Sequence, residues 1–287
     1  MQPPHPEPGV QTTLPSLLSA RLAGQPNSIA VKTKTVSLTT QHLYFLSDKL
    51  LKSIHITPGT VVPLCMNRSW QMVVSELAVM RAGAAYAVID PANPQKWNEA
   101  LVEDVGAELV LVDDSEQLNY FGDRRVFDAH SILSEVEVEE GKAQMDAASV
   151  DEDRLVEKKP SPNDPAYIVF TSGSTGRPKP VVLSHCAAAT GMSYAKLNGR
   201  INWLLFLNPS TSAAQRSIWA TIILGGCICI TDKETVTTSL AQTMRDFHIQ
   251  AVQTTPSALS LLSPDEVPEL ELITMAGERP EPSVVDK

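Results

Sequence analysis

The four cysteines, Cys65, Cys186, Cys227 and Cys229, include no CxxC pair, so the 287-residue chain suggests neither a zinc site nor a disulfide framework, and no protein-held metal is expected. Cys227 and Cys229 alternate in an apolar strand and read as buried thiols. Long hydrophobic runs are missing too. The longest, 218–230, falls short of the roughly 20 residues that a spanning helix needs, so no membrane partner is expected. The N-terminal MQPPHPEPGVQTT has neither a cationic nor an apolar signal region, and the expected location is cytoplasmic. No basic stripe is present, which argues against nucleic acid as a partner, and no internal repeat is found.

The composition, 43% apolar and 20% charged, is that of a globular chain able to bury a substantial core. Its net charge of −10 is unevenly spread: 135–159 carries nine acids against four bases, so half of the excess sits there. This segment has little periodicity and ends in prolines; it reads as a solvated acidic loop at about 134–164. Elsewhere, short Val/Ile/Leu-rich runs alternate with amphipathic ones. That pattern predicts an α/β fold with parallel strands and crossover helices. Strands are expected at 29–33, 36–38, 61–65, 85–89, 108–112, 125–128, 166–171, 181–183, 203–207, 227–231, 251–255 and 270–275. Helices are expected over 14–22, from 39 or 40 to about 50, and near 70–82, 95–105, 185–197, 213–224, 236–247 and 257–262.

The stretch FTSGSTGRPKPVVLSH, 170–185, follows an apolar strand with two glycines, five hydroxyls and two cations. Glycines let a backbone approach an anion and turn N–H groups toward it, hydroxyls add donors, and a lysine adds mobile charge. A polyphosphate suits this set best; a solvated Ser/Gly hairpin is the alternative on composition alone. The spacing is not that of a Walker A loop, and a strand rather than a helix is expected to follow.

The full string AYIVFTSGSTGRPKPVVLSH closely resembles the signature loop of the adenylate-forming superfamily, which includes acyl-CoA synthetases, luciferases and the adenylation domains of nonribosomal peptide synthetases. LAVMRAGAAYAVIDPANP (77–94) and MNRSWQMVV (66–74) resemble the peptide-synthetase branch. Weaker similarity runs through SLTTQHLYFLSDKLL, GGCICI and LELITMAGE. The resemblance implies two parallel-sheet layers with crossover helices, the N-terminal domain of an adenylate-forming unit. One sheet would be built from residues up to about 62 and beyond about 201, the other from 63–200. It implies activation of a small-molecule carboxylate by ATP and Mg²⁺ as an acyl-adenylate, with release of pyrophosphate. Thr171, Ser172, Gly173, Ser174, Thr175, Gly176 and Lys179 would hold the nucleotide phosphates, with Thr171 and Lys179 in catalytic roles. Ala276, Gly277 and Glu278 match the segment lining the adenine and substrate pocket, which would also take in Ser212, Ala213, Arg216, Ser257 and Thr274.

The chain also departs from the pattern. Pro180 stands where the family loop closes with glycine, which removes a backbone donor. A gapless count back from Gly225-Gly226 puts Thr211-Ser212 where amino-acid-activating members carry Phe-Asp, so an ordinary α-amino acid is a disfavoured substrate. Arg216, one turn beyond Ser212, reads either as a partner for a second substrate carboxylate or as a solvated helix residue. Ile218, Trp219 and Ile222 read as core. His185 reads as a first-turn helix residue or a substrate gate, and His248 as structural with no identifiable partner. No Tyr-Gly-Pro-Thr-Glu or Thr-Gly-Asp motif follows, and the expected organisation is a flexible tail at 1–11 and a truncated adenylation domain at 12–287. The alternatives are a non-catalytic nucleotide-binding remnant and an acyl-CoA-ligase-like enzyme; a carrier protein or a completing chain is the implied macromolecular partner.

Overall fold

Apolar strands that must be covered on both faces, joined by helices that must bury one stripe or more, have few packing solutions. The chain adopts one in which two sheets share the sequence. The computed structural model describes residues 11–134, 159–171, 178–193 and 201–282, so most of the acidic segment, 135–158, lies outside the described residues.

The N-terminal helix α1 (Leu14–Gly24) precedes the antiparallel pair β1 (Ile29–Lys32) and β2 (Ser37–Thr39), and α2 (Thr40–Ser53) follows. The chain then builds the second sheet with β3 (Val61–Cys65), α3 (Trp70–Arg81), β4 (Ala85–Ile89), α4 (Gln95–Asp104), β5 (Leu109–Val112), β6 (Arg125–Asp128), α5 (Ala129–Ile132), β7 (Pro165–Thr171) and β8 (Lys179–Ser184). After α6 (His185–Ser193) it returns to the first sheet through β9 (Asn202–Leu204), α7 (Ser212–Ile223), β10 (Cys227–Cys229), α8 (Lys233–Thr238), α9 (Leu240–Asp246), β11 (Ala251–Thr254), α10 (Pro256–Ser260) and β12 (Leu272–Met275). Strand order is β12-β11-β9-β10-β1-β2 in one sheet and β6-β5-β3-β4-β7-β8 in the other. Every pairing is parallel except β1 with β2 and β7 with β8. The expected division of the chain between the sheets is the observed one, with Val61 and Val62 already in the second.

Pro63 lies in the middle of β3, where a missing N–H normally disrupts a ladder. Here it pairs with Ala87 of β4, while the β5 ladder begins only at Leu64. All twelve residues of α3 are buried, as befits a helix covered on every side. Ser69 caps it, accepting the Met72 N–H at 3.1 Å, and its last residue, Arg81, pairs with Asp48 of α2 at 2.6 Å and lies over the Tyr44 ring.

Gly226, which opens β10, has a packing reason for lacking a side chain. A Cβ there would meet the Ile201 carbonyl at 2.8 Å and the Thr221 methyl at 2.9 Å, while its own carbonyl accepts from buried Arg21 at 3.2 Å. The helix expected over 236–247 is instead two, because Ser239 leaves helical geometry (φ −136°, ψ 42°) and ends α8 where α9 begins. Among the described residues no helix is long and apolar enough to cross a membrane.

Candidate functional site

The β7–β8 hairpin sets Thr171 directly opposite Lys179, with Phe170 opposite Pro180. The Thr171 hydroxyl donates to the Lys179 carbonyl at 3.4 Å, and both residues are exposed. Pro180 is tolerated because β8 is the last strand of its sheet and needs no outward ladder. The turn itself, with Ser172, Gly173, Ser174, Thr175 and Gly176, lies outside the described residues, while its two anchors are fixed.

A second group gathers at the carboxyl ends of β11 and β12, the usual place for ligand sites in parallel sheets. Thr274 pairs with Gln253, and the Ala276 N–H donates to the Thr254 carbonyl at 3.0 Å. Gly277 follows at φ +90°, a left-handed turn suited to glycine. That turn returns Glu278 to the start of α10, where its carboxylate accepts the Ser257 N–H at 3.2 Å and the Ser257 hydroxyl. Ser257, Thr274, Ala276, Gly277 and Glu278 are therefore neighbours. The hydroxyls of Thr254 and Thr274 are buried there without a partner.

Helix α7 joins this group through Ser217, whose hydroxyl donates to Gln253 Oε1 at 3.1 Å. Thr211 caps α7, accepting from the Ala214 N–H at 3.3 Å, which leaves Ser212 as the first helical residue. Ser212 and Arg216 are exposed one turn apart, with Ala213 half-buried between them. Within α7, Arg216 is the sole charged side chain.

A family model described as "AMP-binding enzyme" matches residues 18–287, spanning both sheets, the hairpin and the β11–β12 strand ends. The chain belongs to the AMP-binding enzyme family. It is 39% identical over 246 residues to the nonribosomal peptide synthetase sidE of Aspergillus fumigatus, covering 85% of this chain and 11% of that protein. It is 34% identical over 274 residues to nonribosomal peptide synthetase 7 of the same species, covering 95% and 11%. Among solved structures, that of the nonribosomal peptide synthetase FmoA3 superposes with a TM-score of 0.81 at 20% identity, over 98% of this chain and 30% of that one. The chain thus spans about a tenth of the curated relatives' length, and the likeness to FmoA3 speaks for the fold.

Beneath the exposed face of α7, the AMP-binding chain holds a polar network that the sequence pattern did not single out. Gln215 Nε2 donates to Glu76 Oε1 of α3 at 2.9 Å and to the Pro209 carbonyl at 2.9 Å, while the Tyr86 hydroxyl of β4 donates to Gln215 Oε1 at 2.6 Å. Trp219 Nε1 donates to the Tyr86 oxygen at 2.8 Å, and the Tyr86 ring stacks on Tyr167 of β7 with centroids 5.5 Å apart. Burial pushes the Glu76 carboxyl up to about 8, against the hydrogen bond from Gln215. Burial likewise raises Tyr167 to about 12; nearby Glu76 adds to the shift and Arg216 opposes it. The available signal was small: Ser75 and Glu76 interrupt the otherwise apolar run from Met72 to Met80.

The remaining residues singled out by sequence fall into structural roles. Ile218, Trp219 and Ile222 are fully buried. His185 begins α6, fully buried, and its Nδ1 accepts the Leu14 N–H at 3.4 Å, so it ties α1 to α6; burial lowers its pKa to about 4. His248, for which the sequence offered no partner, pairs through Nδ1 with Glu269 at 2.8 Å; the two are 21 residues apart and meet because β11 and β12 are adjacent. Cys227 and Cys229 are buried free thiols, as expected. A cleft of about 130 Å³ between the sheets is lined by Arg68, Asp90, Asn208 and Asp232 among others. Of these, Asn208 donates to Asp90 at 2.6 Å, Arg68 to the Leu205 and Phe206 carbonyls at 3.0 and 3.1 Å, and Asp232 accepts the Thr235 N–H at 2.7 Å.

Proposed function

We propose that residues 12–287 form the N-terminal part of a cytoplasmic adenylation unit that activates a carboxylic acid with ATP, preceded by a tail at 1–11 and interrupted by an acidic loop at about 134–164. One oxygen of the substrate carboxylate attacks the α-phosphorus of ATP, the bond to the β-phosphate oxygen breaks, and acyl-AMP and pyrophosphate form. The observation that carries this reading is the pinned hairpin: Thr171 and Lys179 face each other at the mouth of a Ser/Gly-rich turn in a chain of the AMP-binding family. Backbone donors, hydroxyls and a lysine held there would neutralise the departing pyrophosphate without reorganising during the reaction.

Thr171, Ser172, Gly173, Ser174, Thr175, Gly176 and Lys179 are the proposed polyphosphate contacts, with Ala276, Gly277 and Glu278 beside the nucleotide. Mg²⁺ would arrive with the phosphates of ATP. Among the described residues no group of three His, Cys, Asp or Glu side chains is placed to hold a metal.

The carboxylate would lie against Ser212, Ala213, Arg216, Ser257, Thr274 and Ala276. Ser212 offers no charge to a substrate ammonium, and Arg216 offers a cation, so a substrate with a second anionic group and no α-ammonium is favoured. The product acyl-AMP would pass to a carrier protein or to another part of the same assembly. ATP–pyrophosphate exchange over a panel of monocarboxylates, dicarboxylates and amino acids tests the reading, using this chain alone and mixed with candidate completing chains. Exchange with dicarboxylates above amino acids is expected; best exchange with ordinary α-amino acids overturns the Ser212 assignment, and no exchange with any acid, alone or with a completing chain, overturns the adenylation reading.

A further inference from the structure

Glu76 is fully buried, has one oxygen with no hydrogen-bond partner, and accepts at the other from Gln215, a residue 139 positions away. Burying an acid with one unpartnered oxygen costs stability that a single hydrogen bond only partly offsets. What it touches is informative. Gln215 spends its remaining N–H on the Pro209 carbonyl in the loop that enters α7, and its oxygen on Tyr86, which stacks on Tyr167. Tyr167 lies four residues before Thr171 on β7, and Arg216 is near enough to act on it electrostatically. One set of contacts therefore joins the helix start bearing Ser212 and Arg216 to the strand that enters the 172–178 turn.

We propose that Glu76 is a positioning residue: through Gln215 it fixes the first turn of α7, and through Tyr86 and Tyr167 it holds that turn in register with β7 and its phosphate-binding hairpin. Rigid packing between the two elements is what a bimolecular reaction needs, since a misplacement of about 1 Å between reactants costs roughly a hundredfold in rate. The inference rests on the adenylation reading for its purpose, but its geometry is independent of ATP. Neutral Glu76 still accepts from Gln215; once ionised it is a buried anion with no cation within hydrogen-bond reach. The titratable groups facing it are Tyr86 on β4 and Tyr167 on β7. On other sides of α3, Arg81 is paired with Asp48 of α2, and His130 of α5 meets Gln71; His185 of α6 bonds to α1.

The test follows amide hydrogen exchange in the isotope-labelled full chain for wild type, Glu76→Gln and Glu76→Leu. Gln keeps the acceptor and the neutral state, whereas Leu keeps the bulk without the acceptor. The expected result is that Glu76→Leu speeds exchange at Ala214–Arg216 by about tenfold or more, relative to Leu64 and Leu111 in the core, and that Glu76→Gln restores wild-type protection. Between pH 7 and 9, after correction for intrinsic exchange, protection of these amides should fall in wild type and hold in Glu76→Gln. That comparison stands even if Glu76→Leu does not fold. Equal exchange at Ala214–Arg216 in all three proteins, or a wild-type pH response shared by Glu76→Gln, overturns the proposal. Mg-ATP added to the same samples separates the two readings: absence of shifts at Thr171 and Lys179 in wild type counts against nucleotide binding, while the exchange pattern alone decides the role of Glu76.

Discussion

Lys179 stands exposed opposite Thr171, so its loss should change ligand affinity far more than folding. Lys179→Ala is expected to weaken Mg-ATP binding by about 1–3 kcal/mol, the worth of one charge-assisted contact, with an unchanged urea midpoint. Calorimetric titration of the two proteins checks it, and equal affinities would remove Lys179 from the site. Gly226 makes the opposite case: Gly226→Ala presses a methyl group into the Ile201 carbonyl and the Thr221 side chain and should cost about 1–3 kcal/mol in denaturant unfolding. Glu76 and His185 set a pH dependence whose signs differ. The folded state keeps the Glu76 proton up to about 8 while the unfolded chain releases it near 4.5, so stability falls as pH rises through that window. His185, lowered from 6.5 to about 4, makes the folded state bind fewer protons, so stability rises over that interval. The two oppose one another at acid pH, and the Glu76 effect stands alone above it. From pH 6.5 to 8 its contribution should fall by at most about 1.4 kcal/mol per pH unit, and Glu76→Gln should flatten the slope. Urea unfolding at a series of pH values measures both.

Elements were legible where one local force decides them. The apolar runs of β3, β4 and β5 are buried throughout or nearly so, and each was expected within a residue of where it lies. The break between α8 and α9 was not legible, because the apolar spacing of Val236, Leu240 and Met244 continues across Ser239 while its backbone does not. The two anchors of the hairpin follow from the motif, since Thr171 and Lys179 are close in sequence. The Glu76–Gln215 and His248–Glu269 contacts exist only because the strand order brings distant segments together, and no local pattern encodes that order. Thr211 offers a check at this scale. As the N-cap of α7 it holds the Ala214 N–H, so Thr211→Ala should cost about 1 kcal/mol and speed exchange at Ala214 before any other helix responds. An unchanged Ala214 would mean that the network below, rather than the cap, fixes the start of α7.

At the scale of the molecule, one chain writes the first sheet at both of its ends and the second in between, so the hairpin on β7 and the helix start on α7 come from different sheets and meet through side chains. Under the proposed function the two sheets would hold two ends of one reaction: the polyphosphate at residues 172–178, and the carboxylate at α7 and the β11–β12 strand ends. The most direct measurement is titration of the isotope-labelled chain with Mg-ATP, followed by amide chemical shifts. Shifts concentrated at 171–179, with weaker ones at Ala276–Glu278 and both diminished in Lys179→Ala, are the predicted result. Saturable binding whose shifts leave 171–179 unmoved would contradict it.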